Sequence, residues 1–151
     1  MMLTVPARRG RSERGSALVE FALAAPLMVS LFLGVWNFGY AFYLYNQLEQ
    51  AVRAGGRYAS LAGYDGDNPS AYKAAVQNMV VYGDPAGGTQ AAVPGLSTSN
   101  VNVQLNFSGA FPTTIDIQIQ NYRLPGIFSG ITLNGKPSDR FPYLGNWAPV
   151  G

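Results

Sequence analysis

The 151-residue chain contains no cysteine and no histidine, and charge is scarce: 10 basic and 8 acidic residues make up 12% of the composition. Without cysteine an exported body has no disulfide staple and no thiol nucleophile. Without histidine the commonest general base and a principal zinc ligand are missing. There is no G-x-S-x-G elbow, no P-loop and no dinucleotide fingerprint. The close carboxylate pair, Asp65 and Asp67, lies in the stretch G-Y-D-G-D-N, where turn formation accounts for it. A calcium loop beginning there fails at its next required positions, since Pro69 stands where Asp or Asn belongs and Ser70 where Gly belongs. No catalytic residue, metal or cofactor is therefore expected, and the chain reads as a non-enzyme.

The sequence pI near 9.0 invites a nucleic-acid reading, but the charges are unevenly placed. Residues 1–15 hold Arg8, Arg9, Arg11 and Arg14 against Glu13, whereas residues 46–151 hold six basic and six acidic residues. The larger part is neutral, and phosphate-backbone binding needs clustered Lys and Arg, so no nucleic-acid partner is expected.

What the chain has in place of charge is a long apolar run. From Phe21 to Leu48, 28 consecutive residues carry no Asp, Glu, Lys or Arg, above the roughly 20 that a helix needs to cross a bilayer. The arginines just before it mark the cytoplasmic flank, which places everything after Tyr45 outside. Trp36, Tyr40, Tyr43 and Tyr45 suit the outer lipid–water boundary; packing against neighbouring helices would account for them equally well. Pro26 removes one backbone hydrogen bond and should bend the helix, and lipid supplies no replacement donor. Glu20 is the anomaly, because a carboxylate in a hydrocarbon segment costs several kcal/mol unless it is paired, neutral or interfacial. Two partners fit: headgroups or Arg14 nearby, or an α-amino group created at Ser16 of this or an adjacent chain.

Helical character continues to about Ala62, with Leu48, Val52, Gly55 and Ala59 on one stripe. Gly55 and Gly56 each cost about 1 kcal/mol in a helix interior relative to Ala, so the close approach of another backbone is expected to compensate. A second helix has Asn68 as cap, Pro69 in its first turn and Gly83 at its exit, with Tyr72, Ala75, Val76, Met79 and Val80 on its apolar face. Residues 84–100 read as a long loop. Two alternating stretches, V-N-V-Q-L-N-F and T-I-D-I-Q-I-Q, predict antiparallel strands joined by six residues rather than by a tight two-residue turn. A third short strand is expected near 131–133, and the proline-bearing tail reads as irregular. The fold class expected is α+β: a long N-terminal transmembrane helix extending into a small periplasmic domain with a second amphipathic helix and a short antiparallel sheet.

A basic leader ending in Gly15, followed by S-A-L-V-E-F-A-L with Glu20 fifth after that glycine, resembles a type IV prepilin processing site. With W-N-F-G-Y-A-F-Y-L-Y-N-Q-L and A-V-R-A-G-G-R-Y-A-S-L, residues 14–62 resemble the TadE-like pseudopilins, or minor pilins, of tight-adherence (Flp, type IVb) pilus systems. The resemblance implies cleavage between Gly15 and Ser16 by a prepilin peptidase, with residues 1–15 the cytoplasmic leader, 16–45 the inner-membrane span and 46–151 the periplasmic domain. It gives Glu20, with Phe21 beside it, a part in processing or assembly; Pro26, Gly55 and Gly56 are assigned to helix packing on the backbone chemistry above. It implies as partners the peptidase, the major pilin and other pseudopilins, the inner-membrane assembly platform and membrane lipid. Ser16 stands where type II secretion pseudopilins usually have Phe. The body is too large for the major Flp pilin and too short for relatives bearing a large adhesive domain. An uncleaved single-span protein displaying a binding domain fits the same topology; a secreted domain cut at A-L-A, residues 22–24, fits poorly because a long apolar stretch would remain.

Overall fold

The computed structural model describes residues 13–109, 111–126 and 130–145. Helix α1 runs from Glu13 to Leu61, 49 residues, and α2 from Pro69 to Tyr82. A short 3-10 turn at Thr98–Asn100 leads into five strands: β1 (Val101–Ser108), β2 (Phe111–Ile119), β3 (Tyr122–Arg123), β4 (Thr132–Leu133) and β5 (Ser138–Pro142). The class is the α+β arrangement expected from the sequence. The chain divides into two units within α1, between Phe38 and Gly39.

In the first unit α1 is helical without interruption through Pro26. Proline offers no N–H to the carbonyl of Ala22, and the Ser30 hydroxyl donates instead to the carbonyl of Pro26 itself at 2.7 Å. Leu18, Phe21, Leu27, Leu31, Val35 and Phe38 are among the large apolar side chains this unit exposes. Phe32 and Trp36, one turn apart, stack with ring centroids separated by 6.4 Å.

The second unit holds the core. Leu44, Leu48, Val52 and Ala59 of α1 are buried at spacings of four and seven, which gather side chains on one face. Against them lie Tyr72, Val76, Val80 and Val81 of α2, and Ile115, Ile117 and Ile119 of β2. Helix α2 has the boundaries its sequence dictates. The Asn68 carboxamide oxygen accepts from the Ala71 N–H at 3.2 Å, and Gly83 takes the left-handed conformation, φ 75°, while donating to the Met79 carbonyl. Gly55 and Gly56 are where α1 is most closely approached. A Cβ on Gly55 would stand 2.2 Å from Val80 Cγ2, with the Val80 backbone nitrogen at 3.6 Å, and one on Gly56 would overlap the Phe141 ring. At Gly56 the approaching group is thus a side chain of β5, not the backbone expected from sequence.

The main sheet has the order β1-β2-β5, antiparallel throughout, so β2 is central and buries all three of its isoleucines on the helix side. Three details depart from the sequence reading. First, the ladder continues past the hydrophobic alternation to Ser108↔Phe111, leaving a two-residue connection, Gly109 and Ala110, in place of the expected six. A register shift between Asn106 and Phe107 accommodates Pro112, and Gly109 takes φ 79°, a conformation that favours glycine. Secondly, the strand expected near 131–133 pairs with β3 in a separate two-stranded sheet. Thirdly, the main sheet's third strand is β5, from the tail read as irregular. Pro142 is tolerated because β5 is an edge strand. The loop before β1 is not merely a connection, since Val93 and Leu96 are buried in the core and the Tyr122 hydroxyl donates to the Pro94 carbonyl at 2.7 Å.

On the outer face of the sheet Asp116 receives two hydrogen bonds from Arg140, at 2.6 and 2.9 Å, and one from Asn106 at 3.0 Å. The Arg140 hydrogen bond, offset in part by burial and assisted by Asn106, holds the Asp116 carboxyl below its ordinary value. A lowered folded-state pKa contributes stability above the unfolded value, near 3.9, and that contribution disappears as pH falls through the folded value. We expect Asp116→Asn to melt below the wild type at pH 7, with the gap closing as the pH is taken below about 4. The effect is small, because Arg140 is largely exposed and salt screens the pair. Paired thermal melts across pH at low and high salt check it.

Candidate processing site and assembly helix

The residues singled out by sequence fall in two places along α1. Gly15, Ser16, Glu20, Phe21 and Pro26 belong to the first unit; Gly55 and Gly56 belong to the second. Arg8, Arg9 and Arg11 lie outside the described residues, and of Arg14 only the helical backbone is described.

Gly15 and Ser16 stand in the first turn of α1, both exposed, and a Cβ on Gly15 would meet nothing within 4 Å. Nothing in the packing of the described residues therefore requires glycine there. Ser16 and Glu20 are four residues apart and share a face: the Ser16 hydroxyl donates to Glu20 Oε1 at 3.3 Å. This contact is absent from the sequence reading, which paired Glu20 with headgroups or Arg14, or with an amine. The i, i+4 spacing of Ser16 and Glu20 was the available signal. Phe21 beside it is 69% exposed, so the carboxylate stands among uncovered apolar side chains.

Midway along, α1 carries Tyr40 and Tyr43, stacked at 6.5 Å, both exposed. From Leu44 onward it becomes a core helix, and near its end the Tyr72 hydroxyl of α2 donates to the Ala59 carbonyl. Burial, reinforced by neighbouring tyrosines, pushes the Tyr72 phenol well above its ordinary value, so it stays a neutral donor. Tyr143 accepts the Tyr64 N–H at 2.8 Å, and the Leu144 N–H donates to the Ser60 carbonyl at 2.8 Å, fastening the chain after β5 to the end of α1. The same helix thus exposes apolar residues in one unit and buries them in the other.

Asp65 and Asp67 form a turn: the Asp67 N–H donates to the Asp65 carboxylate at 2.9 Å. Among the described residues no three His, Cys, Asp or Glu side chains gather in a way that could hold a metal ion. Among them α1 is the one helix long and apolar enough to cross a membrane, and it fits a membrane anchor.

No curated protein and no solved structure matches the chain. Residues 15–57 do match the family model described as TadE-like protein, a stretch that begins at Gly15 and ends within the buried part of α1. By that match, residues 15–57 of α1 are similar to the TadE-like family.

Proposed function

We propose that this protein is a minor pilin or pseudopilin of a tight-adherence (Flp, type IVb) pilus, matured by a prepilin peptidase that cleaves between Gly15 and Ser16. The observation that carries the reading is the TadE-like match over residues 15–57. Support also comes from an apolar helix that exposes most of its large apolar side chains between Leu18 and Phe38. In this reading residues 1–15 are a cytoplasmic leader, residues 16–45 span the inner membrane and later enter the filament, and residues 46–151 face the periplasm or the filament surface. The role is structural, exercised by helix packing rather than catalysis. Its partners are the peptidase, the major pilin, sibling pseudopilins, the assembly platform and membrane lipid.

Glu20 acquires a purpose in that pathway. Cleavage turns the Ser16 amide nitrogen into a protonated amine one helical turn from a carboxylate, and the Ser16 hydroxyl already lies on the Glu20 face. A charge pair within an apolar bundle cancels much of the cost of carrying either charge alone. An amine from a neighbouring chain does the same while fixing the axial register between subunits.

The test is the intact mass and N-terminal sequence of the protein from membranes of its own cells, with and without the prepilin peptidase. The expected result is a peptidase-dependent start at Ser16. An unprocessed N-terminus in both strains overturns the proposal and leaves a membrane-anchored display protein.

A further inference from the structure

Between α1 and the start of β5 the second unit has a cavity of about 130 Å³ whose lining includes Tyr45, Glu49, Arg53, Lys136, Ser138 and Asp139. Two cations and two acids meet there, together with the hydroxyls of Tyr45 and Ser138. The ion pair within the set is loose, with Arg53 Nη2 and Glu49 Oε2 3.5 Å apart and both side chains partly exposed to water. Its charges are thus available to a ligand, and the net charge of the lining is zero. That pattern suits a small zwitterion better than a simple anion or cation.

We propose that this cavity holds the headgroup of a phospholipid bearing a primary ammonium, with its phosphate against Arg53 and Lys136 and its ammonium against Glu49 and Asp139. The inference rests on reading α1 as the membrane span. Tyr40, Tyr43 and Tyr45 then mark the outer interface. At 1.5 Å per residue Glu49 stands about 6 Å and Arg53 about 12 Å beyond Tyr45 along the helix. The polar layer on each side of a bilayer is roughly 5–8 Å thick, and the Arg53 stem is long enough to reach back into it. Glu49 is also the first charged residue after the run that begins at Phe21. A choline headgroup has no N–H to give the two acids, and an anionic glycerol headgroup leaves them facing phosphate without a cation. Both lose charge-assisted hydrogen bonds that the primary ammonium makes.

The experiment uses the full chain reconstituted in phosphatidylcholine bilayer discs containing equal minor fractions of phosphatidylethanolamine and phosphatidylglycerol. Lipid that stays with the protein after transfer to detergent is counted by native mass spectrometry. Phosphatidylethanolamine should be retained about fivefold over either other lipid at equal mole fraction. Lys136→Ala and Glu49→Gln, both checked for a wild-type melt, should each abolish the preference. Free phosphoethanolamine that displaces the lipid at comparable concentration would reassign the site to a soluble phosphoester and overturn the lipid assignment. Insertion into the discs with equal retention of all three lipids overturns this inference alone, whereas failure to insert overturns the span reading as well.

Discussion

A chain in which Gly15 is replaced by valine should fold, melt and enter the membrane as the wild type does, yet accumulate with residues 1–15 still attached. The reasoning begins with the fold. A Cβ at position 15 meets nothing within 4 Å among the described residues, and the position lies in the exposed first turn of α1. Helix propensity shifts slightly in favour of the substitution, so the change in stability stays within about 0.5 kcal/mol. Any loss of processing then reflects the enzyme that reads the site, not damage to its substrate. Intact mass separates the two forms, and a melt of the same preparation shows that the fold is unaltered. Mature-length protein from Gly15→Val would remove cleavage after Gly15 from the account. Glu20→Gln is the companion variant: it keeps an acceptor for the Ser16 hydroxyl but carries no charge. It should reduce incorporation into sheared pili when the carboxylate pairs with an amine during assembly, and the mass of the membrane-bound pool tells whether processing also needs the charge.

Leu48→Ala should destabilise the body by about 3 kcal/mol, the middle of the range for emptying a fully buried leucine site. Leu48 is 0% exposed and lies among Leu44 and Val52 of α1, the valines of α2 and the isoleucines of β2, all of them held by regular structure. Such a site collapses poorly, and the resulting cavity adds to the lost transfer energy. With no cysteine, the body has no cross-link to fall back on, and 3 kcal/mol is a large share of the 5–15 kcal/mol typical of a domain. Leu27→Ala is the control, because Leu27 is 68% exposed and contributes nothing to that core. Denaturant titration in detergent, followed by tyrosine fluorescence, should show the midpoint falling for Leu48→Ala and unchanged for Leu27→Ala. A body equally insensitive to both would mean that α1 is not part of its core. In cells the loss should appear as reduced abundance, since unfolded protein is removed by proteolysis.

Local chemistry made much of this molecule legible in advance. The apolar run gave α1, and Asn68, Pro69 and Gly83 bounded α2 because a cap oxygen, a fixed φ and a left-handed glycine act within a few residues. The alternation around Val103 and Ile117 gave β1 and β2, since side chains of a strand point to opposite faces in turn. Where a partner distant in sequence decides the outcome, local reading failed. Residues 138–142 have no apolar alternation and end in proline, yet they form an edge strand because the second edge of β2 is open to them. Phe107 fits the inward alternation of β1 but is 51% exposed, as the register shift beside Pro112 turns the strand at that point, and its ring meets Tyr64 edge-on at 5.7 Å. Val93 and Leu96 are isolated apolar residues in a polar loop, and only the completed core gives them a place.

The candidate site divides in the same way. The sequence by itself determined that a carboxylate stands near the start of a span-length apolar helix, after a basic stretch, in a chain without the residues of common catalysis. These are properties of composition and order, and no folding is needed to establish them. Only the tertiary structure decided that Gly55 receives Val80 while Gly56 receives Phe141, and that Glu49, Arg53, Lys136 and Asp139 line one cavity. Both join positions tens of residues apart. Such meetings depend on how helices and sheet pack, which is fixed by the burial of the whole apolar surface and not by any one segment.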